Sequence, residues 1–182
     1  MCRQCGTNPV YEFTNKRKLC RRCFVAYFQK KVFYTIRKFN MAHSGHVIFY
    51  KKGNDFRDVV LEDVLKMFSE KANAKLAKSA KKADKVAVSS TLDSEAYEIT
   101  NELMKENFKM KFEPVENKII KPLYLFLDEE VLLYAKIKKL KFKNEKEKKN
   151  KIGNFIDELE IKHPEIKRAI VNGMLGLCNK EK

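Results

Sequence analysis

The stretch VIFYKKGNDFRDVVLEDVL, residues 47–65, predicts a strand, a tight loop around Gly53 and a helix. Many α/β proteins hold phosphate at such a loop, because the backbone N–H groups at the start of the helix point at the anion. These loops favour glycine and small hydroxyl side chains, whereas the loop here, KKGND, has one glycine and two lysines. The stretch therefore predicts an α/β fold and leaves open whether its loop holds phosphate.

A second strand and helix follow at KVAVSS, residues 85–90, and TLDSEAYEITNELMKENF, residues 91–108. Asp93 and Glu95 fall at the start of this helix, where the helix dipole favours carboxylates and gives both residues a simple capping role. The intervening segment 70–85 is rich in alanine and lysine and predicts a continuation of the preceding helix. The alternation of strand and helix predicts a parallel sheet with ligands at the carboxyl ends of the strands.

The C-terminal part predicts an extended segment, IIK, ended by Pro122, and a helix for which Asp128 is the expected N-cap. Residues 139–151, KLKFKNEKEKKNK, fit equally well a solvated linker or an arm that contacts phosphate. Apolar residues at helical spacing between 152 and 159 then predict one helix, and Pro164 begins a last one.

Charge and composition indicate the class of partner. The 182 residues carry a formal charge of +15, with 44% hydrophobic residues, so the chain is expected to fold and to present a basic surface. Because this charge is spread along the chain, nucleic acid is favoured over a membrane surface. The sequence has no apolar run of about 18 residues and opens on no signal peptide, so we expect a cytoplasmic protein with no membrane partner.

Four of the five cysteines lie in MCRQCGTNPVYEFTNKRKLCRRCF, residues 1–24. Two CxxC pairs at this spacing predict a tetrahedral four-thiolate site, for which structural zinc is the favoured ion over a disulfide or an iron–sulfur cluster. Cys178 is left alone, and His43 and His46 are expected to be ordinary surface residues. The expected zinc ligands are Cys2, Cys5, Cys20 and Cys23.

Residues 23–41 predict a helix with an aromatic stripe on one side and cations on the other. Core packing is the favoured role of the stripe, and stacking on nucleic-acid bases is the alternative. The cations are expected to contact RNA phosphates: Arg21, Arg22, Lys30, Lys31, Arg37 and Lys38.

Several motifs together resemble the PP-loop ATP pyrophosphatases that make 2-thiouridine in tRNA, the archaeal and eukaryotic cytosolic tRNA thiolation proteins. They are the double CxxC ending in CRRCF, TLDSEA, KPLYLFLDEEVLLYA and ELEIKHP, and the resemblance touches most of the chain. It implies a Rossmann-like α/β domain of the adenine nucleotide alpha hydrolase type, with a parallel sheet, helices and an N-terminal zinc module.

The nucleotide loop departs most from the family. KKGNDF, residues 51–56, stands where the family has SGGKDS, and SSTLDSEA stands where it has GHNLDDEA. The family's catalytic cysteine region, which in several members holds an iron–sulfur cluster, has no counterpart in residues 57–85, and its second zinc module is missing. The resemblance thus implies a shortened, degenerate member that holds ATP and magnesium poorly and has no iron–sulfur cluster. The nucleotide-binding positions that match are Gly53, Asp55, Asp93 and Glu95.

These observations favour a non-catalytic tRNA thiolation protein that binds tRNA, a full-length catalytic PP-loop partner, or both. One alternative is an active ATP-dependent tRNA thiouridylase, in which Lys51 or Lys52 would replace the missing phosphate lysine. A second is a stand-alone zinc-ribbon nucleic-acid-binding protein. The expected domains are a zinc module at 1–25, a PP-loop-like domain at 26–140, and a basic loop with C-terminal helices at 141–182.

Overall fold

The computed structural model describes residues 1–105, 112–143 and 151–178. Within these residues the chain forms a short two-stranded hairpin, a five-stranded sheet and six α-helices. The strands are β1 (Tyr11–Glu12), β2 (Lys18–Leu19), β3 (Val47–Tyr50), β4 (Lys75–Ala77), β5 (Lys85–Ala87), β6 (Val115–Glu116) and β7 (Ile119–Ile120). The helices are α1 (Arg21–Lys38), α2 (Phe56–Ala72), α3 (Leu92–Leu103), α4 (Asp128–Ile137), α5 (Lys151–Lys162) and α6 (Ile166–Cys178).

The larger sheet confirms the predicted α/β fold with a mostly parallel sheet. Its strand order is β4-β3-β5-β7-β6, and every neighbouring pair is parallel except β6 and β7. Because β3 and β5 are parallel neighbours, paired Phe49 to Val86 and Tyr50 to Ala87, their carboxyl ends meet at one edge of the sheet. The loops that follow these two strands therefore lie side by side, as ligand-binding loops do in such folds.

The helix predicted through residues 70–85 is wrong beyond Ala72. Asn73 takes a left-handed backbone conformation with φ of 51°, which ends α2, and asparagine is one of the few residues that adopts it readily. The chain then turns into β4, whose three residues pair with Val47–Phe49. The favourable helix propensity of this alanine- and lysine-rich segment is thus overridden by pairing with a distant strand.

The aromatic stripe of α1 packs in the core, as favoured from its spacing. Phe24, Phe28 and Val32 are fully buried, and the Phe28 ring stacks on Tyr134 with ring centroids 4.1 Å apart. The same core cluster continues to Leu19 of the hairpin and to Cys2 in the segment before it. The hairpin and the α/β domain therefore share one core, and α1 runs unbroken across the expected boundary at residue 25. The division into three domains otherwise stays a prediction.

The C-terminal elements largely follow the predicted order. The extended segment before Pro122 is β7, and α5 and α6 both pack against α3. The N-cap of α4 is Leu127, whereas Asp128, the expected cap, is the first helical residue. Most of the lysine-rich segment lies outside the described residues, so neither of its two interpretations is tested. None of the described helices combines the length and apolar character needed to cross a bilayer.

Candidate functional site

The loop between β3 and α2 begins the helix with Asp55. The Asp55 side chain caps α2 by accepting a hydrogen bond from the Arg57 backbone N–H at 3.2 Å. Partial burial raises the pKa of this carboxyl, against the hydrogen bond and charge of Arg57. Asp55 therefore has a structural role in starting the helix, whether or not the loop holds a ligand.

The Asp58 carboxylate packs against the loop between β3 and α2. A β-carbon built on Gly53 would lie 1.8 Å from Asp58 Oδ2, so this aspartate, in the first turn of α2, packs directly on the glycine. The Ser89 hydroxyl donates a hydrogen bond to Asp58 Oδ1 at 2.6 Å. A cavity of about 370 Å³ opens here, lined by Lys51, Lys52, Gly53, Asp58, Leu61, Ala87, Val88 and Ser89. The residues that line the cavity thus include two lysines and a carboxylate held by a hydrogen bond.

Asp55 and Asp93 are connected through a chain of charged groups. Arg57 forms a bidentate ion pair with Asp128, with Nε–Oδ1 and Nη2–Oδ2 distances of 2.8 Å and 2.5 Å, and its Nη1 lies 3.9 Å from Asp55. The Thr91 hydroxyl donates to Asp128 at 2.7 Å, and the Asp128 backbone N–H donates to Asp93 at 2.7 Å. The starts of α2, α3 and α4 are therefore joined by one network.

Lys167 of α6 completes this network from the other side. Its ammonium is largely buried and lies 2.5 Å from Asp93, 3.0 Å from Asp157 and 2.6 Å from Glu160. Burial alone would lower the pKa of Lys167, but these carboxylates, Asp93 first, raise it well above its usual range. A cavity of about 320 Å³ adjoins the network, lined by Arg57, Asp93, Ser94, Tyr97, Glu98, Asp128, Gly153, Ile156, Asp157 and Lys167.

Glu95, expected beside Asp93, faces the interior instead. It is fully buried and forms an ion pair with Lys121 at 2.8 Å, and it accepts a hydrogen bond from the Ser90 hydroxyl at 2.5 Å. The structure thus brings Asp55 and Asp93 to one network but places Glu95 in a separate buried pair. Asp93 and Glu95 both have structural partners, whereas the cap of α3 is a capping box formed by Thr91 and Ser94.

The four N-terminal cysteines form the one group of possible metal ligands found among the described residues. All four Sγ atoms lie within 4.8 Å of one another, and Cys5 Sγ lies 3.4 Å from Cys20 Sγ and 3.6 Å from Cys23 Sγ. No disulfide joins them. The short hairpin β1–β2 brings Cys20 next to the first knuckle, and α1 begins directly after it. Four thiolates on two knuckles fit a metal centre.

The pKa values within this group are shifted in opposite directions. Hydrogen bonds from the Thr7 hydroxyl and the Cys23 backbone lower the pKa of Cys20 to about 6, whereas burial and neighbouring thiols raise the pKa of Cys23 to about 12. Negative charge therefore concentrates on part of the group, because like charges so close together disfavour further ionisation. A bound cation would relieve this repulsion.

The cations of α1 separate into five exposed side chains and one that is partly buried. Arg21, Arg22, Lys30, Arg37 and Lys38 are exposed, and none forms an ion pair within the described part of the chain. Lys31 turns inward to the fully buried Glu130, with Nζ 2.8 Å from Oε2. The ion pair with Glu130 makes Lys31 less available for RNA phosphate than the other five cations, and its expected RNA contact stays a prediction.

His43 and His46 lie in the loop before β3. Within the described residues they belong to no group of three or more side chains that could hold a metal ion. The His43 backbone N–H donates to His46 Nδ1 at 3.1 Å, and the rings are 5.2 Å apart. This local contact agrees with an ordinary loop role.

The sequence analysis missed Asp58, Arg57 and Lys167 as members of these sites. Lys167 had a visible signal, because it shares the apolar stripe of α6 with Val171, Met174 and Cys178 and must be buried with a partner if that face packs. No sequence pattern indicated Asp58 or Arg57. The partner of Asp58 is Ser89, 31 residues away along the chain, and the partner of Arg57 is Asp128, 71 residues away.

Comparison with known proteins identifies the fold. Neither a scan against protein-family models nor a search of curated proteins gives a match. Among solved structures, the U34-tRNA thiolase NcsA from Methanococcus maripaludis, described with its 4Fe-4S cluster, matches with a TM-score of 0.80 at 18% sequence identity. The match covers 97% of this chain and 86% of that chain, and at this identity it establishes a shared fold.

This comparison corrects the cofactor expectation. The expectation was a structural zinc with no iron–sulfur cluster, yet the solved structure that shares the fold carries a 4Fe-4S cluster. The four-cysteine donor set that the zinc assignment rested on is also the donor set of iron–sulfur clusters. The assignment of zinc alone, with no iron–sulfur cluster, is therefore wrong.

Proposed function

We propose that this chain is a tRNA-binding protein of the tRNA thiolation type that does not itself carry out ATP chemistry. Its tRNA contacts are made by the exposed cations of α1 and the adjoining cysteine knuckles. Any thiolation step is performed by a full-length catalytic partner with which the chain associates. The proposal also holds that the loop at residues 51–56 is a degenerate nucleotide loop, which no longer positions ATP for reaction.

The observation that carries the non-catalytic part is the placement of Asp58. Activation of a substrate by ATP needs a triphosphate held by converging N–H groups and a metal in a fixed geometry. Here the Asp58 carboxylate packs on Gly53 and is held by Ser89. A phosphate at this loop would meet a fixed negative charge, and the exposed Lys51 and Lys52 can attract ATP without positioning it.

The tRNA part is supported by fold and charge together. The matching solved structure is named as a U34-tRNA thiolase, and the net charge of +15 gives this chain the electrostatic character of a nucleic-acid-binding protein. Arg22, Lys30 and Arg37 lie on the face of α1 opposite its buried stripe, where they are exposed. A row of this kind follows a phosphate backbone well, because contacts to phosphate need charge but no particular base sequence.

We also propose that Cys2, Cys5, Cys20 and Cys23 hold a metal centre, for which the comparison makes an iron–sulfur cluster the occupant to test. Such a centre would fix the hairpin against α1 and thereby set the position of Arg21 and Arg22, which flank the ligands. With β1 and β2 only two residues long each, the hairpin has little hydrogen bonding of its own.

The RNA part is tested by tRNA binding as a function of salt. Log K should fall against log salt with a slope of about 0.7 to 0.9 per phosphate contact. The triple variant Arg22→Glu, Lys30→Glu, Arg37→Glu should bind weakly and with a much smaller slope. The matched control reverses three exposed lysines between β4 and β5, Lys78, Lys81 and Lys82, so that the net charge changes equally.

Three results separate the proposal from its alternatives. A salt-independent affinity, or equal losses in the variant and its control, rejects the α1 surface. Purification of the tagged chain from native extract with a full-length thiolation subunit supports the partner role. Pyrophosphate release from ATP by the isolated chain in the presence of tRNA contradicts the non-catalytic role.

A further inference from the structure

The outer face of α1 contains a groove beside the proposed phosphate contacts, with which it shares Lys30. It measures about 430 Å³ and is lined by Gln4, Ala26, Tyr27, Lys30, Lys31, Tyr34 and Leu125. Ala26, Lys30 and Tyr34 are spaced four residues apart and so form one row along the helix. The small side chain of Ala26 leaves space in this row. Gln4 comes from the first cysteine knuckle and Leu125 from the segment before α4.

Tyr34 is the aromatic side chain in this groove with surface to offer a ligand. It is 48% exposed, and Lys38 Nζ lies 5.9 Å from its ring centroid. Tyr27 is half-buried and already has partners: Arg17 lies over its ring at 4.7 Å, and Phe13 meets it edge-on at 4.9 Å. A flat ligand entering the groove would therefore stack on Tyr34.

The charges of the groove favour an anionic chain with flat, partly polar side groups. No carboxylate lines it, and Lys30 is exposed without an ion pair in the described residues, whereas Lys31 is neutralised by Glu130. Gln4 supplies an amide that can both donate and accept hydrogen bonds at a base edge. An aromatic ring, a cation for the phosphate and a polar group for the base edge are the combination that recognises unpaired nucleotides.

We propose that this groove binds one unpaired nucleobase of an RNA, stacked on Tyr34, with Lys30 on the adjoining phosphate. The inference rests on the proposed RNA-binding function and names what α1 recognises, a single-stranded segment in preference to a paired stem. Tyr34 thus adds selectivity for an open loop or end to the sequence-independent phosphate contacts of its helix.

The test uses two RNAs that contain the fluorescent base 2-aminopurine, one single-stranded and one with that base in a fully paired hairpin stem. Stacking on Tyr34 should quench the fluorescence of the single strand. Tyr34→Ala should abolish this quenching and weaken single-strand binding about 5- to 150-fold, the range of one lost base–aromatic stack. Tyr34→Phe keeps the ring and should bind like the unsubstituted protein. Phe155→Ala is the matched control. It removes an exposed aromatic ring from a different helix, α5, and should also bind normally.

The outcomes distinguish this inference from the function it rests on. Salt-sensitive binding of both RNAs that is unchanged in Tyr34→Ala overturns the base site and leaves the proposed RNA binding intact; the same result is expected if Tyr34 serves a protein partner. Loss of quenching in Tyr34→Phe, or in Phe155→Ala, overturns stacking on Tyr34. Failure of the unsubstituted protein to bind either RNA overturns both proposals. Thermal unfolding of each variant confirms that the fold is retained.

Discussion

The Asp58 carboxylate packs directly against Gly53, with Oδ2 1.8 Å from where a β-carbon on that glycine would lie. The hydrogen bond from Ser89 holds its other oxygen. The single glycine of the loop therefore makes room for a carboxylate of the same chain. Asp58 of α2 and Ser89, two residues after β5, thus pack together beneath the loop.

The first prediction concerns phosphate at this loop. Asp58→Asn removes one negative charge while keeping a side chain that can accept the Ser89 hydrogen bond. Because two like charges a few ångströms apart repel strongly in a partly buried site, ATP should bind the variant at least about tenfold more tightly, or about 1.4 kcal/mol, at low salt. Calorimetric titration with ATP and magnesium measures this effect.

Glu70→Gln is the matched control for this experiment, because it removes one charge from an exposed site on the same helix. It should leave ATP binding unchanged. Micromolar ATP binding by the unsubstituted protein, with pyrophosphate release that disappears in Asp55→Ala, would contradict the non-catalytic reading of the loop.

A second prediction tests the packing of Asp58 on Gly53. Gly53→Ala forces the carboxylate away from the loop and should reduce the free energy of unfolding by about 1–3 kcal/mol, the range for overpacking. In an Asp58→Ala background the same substitution should cost less, although not nothing, because the Asp58 Cβ itself is 3.0 Å from the added atom. Urea denaturation of the four proteins gives the coupling; additive effects would show that the two residues do not interact.

The sequence predicted the parts of the fold that depend on local pattern. The hydrophobic periodicities of β3, α1 and α2 can be read from short segments of sequence. The spacing of the CxxC pairs by itself predicts a group of metal ligands. β4 was missed because its three residues, KLA, are a strand only through pairing with β3. A strand at the edge of a sheet with an exposed lysine has almost no pattern of its own.

The charged network was beyond prediction for a related reason. Arg57, Asp128 and Asp93 come from the starts of three helices, and their spacing in sequence follows no rule. A helix-start aspartate has the same local signature whether it is solvated or ion-paired. Lys31 shows the same limit, since its place off the aromatic stripe indicated solvent while its partner Glu130 is 99 residues away.

A third prediction concerns the buried ammonium of Lys167. Lys167→Met leaves Asp93, Asp157 and Glu160 without their shared cation and should reduce the free energy of unfolding by about 3–5 kcal/mol near neutral pH. Lys162→Met, at an exposed position on α5, should cost little. Urea denaturation of both variants measures the difference, and a similar small cost in both would show that the network does not stabilise the fold.

The pH dependence of this variant has a defined sign. In the intact protein the pKa of Lys167 is raised above its ordinary 10.5, so its stabilising effect is fully present below that pH and is lost at higher pH. In Lys167→Met the three carboxylates lose their shared cation, and burial already raises the pKa of Glu160 in the intact protein. The destabilisation should therefore shrink as the pH falls from 8 to 5, because Glu160 can then bind a proton in the folded state.

The fourth prediction is that the four-cysteine group holds a metal centre on which the N-terminal hairpin depends. The hairpin has two strands of two residues each, too few to be stable without further constraint, so loss of the metal should expose residues 1–20 to protease while α1 stays folded. Cys20→Ser should lose the metal, whereas Cys178→Ser, outside the group, should keep it. Iron, acid-labile sulfide and visible absorption, measured on protein purified without oxygen, identify the occupant. Equal metal content in the two variants, or a hairpin that resists protease after chelation, would show that these thiols do not form the centre.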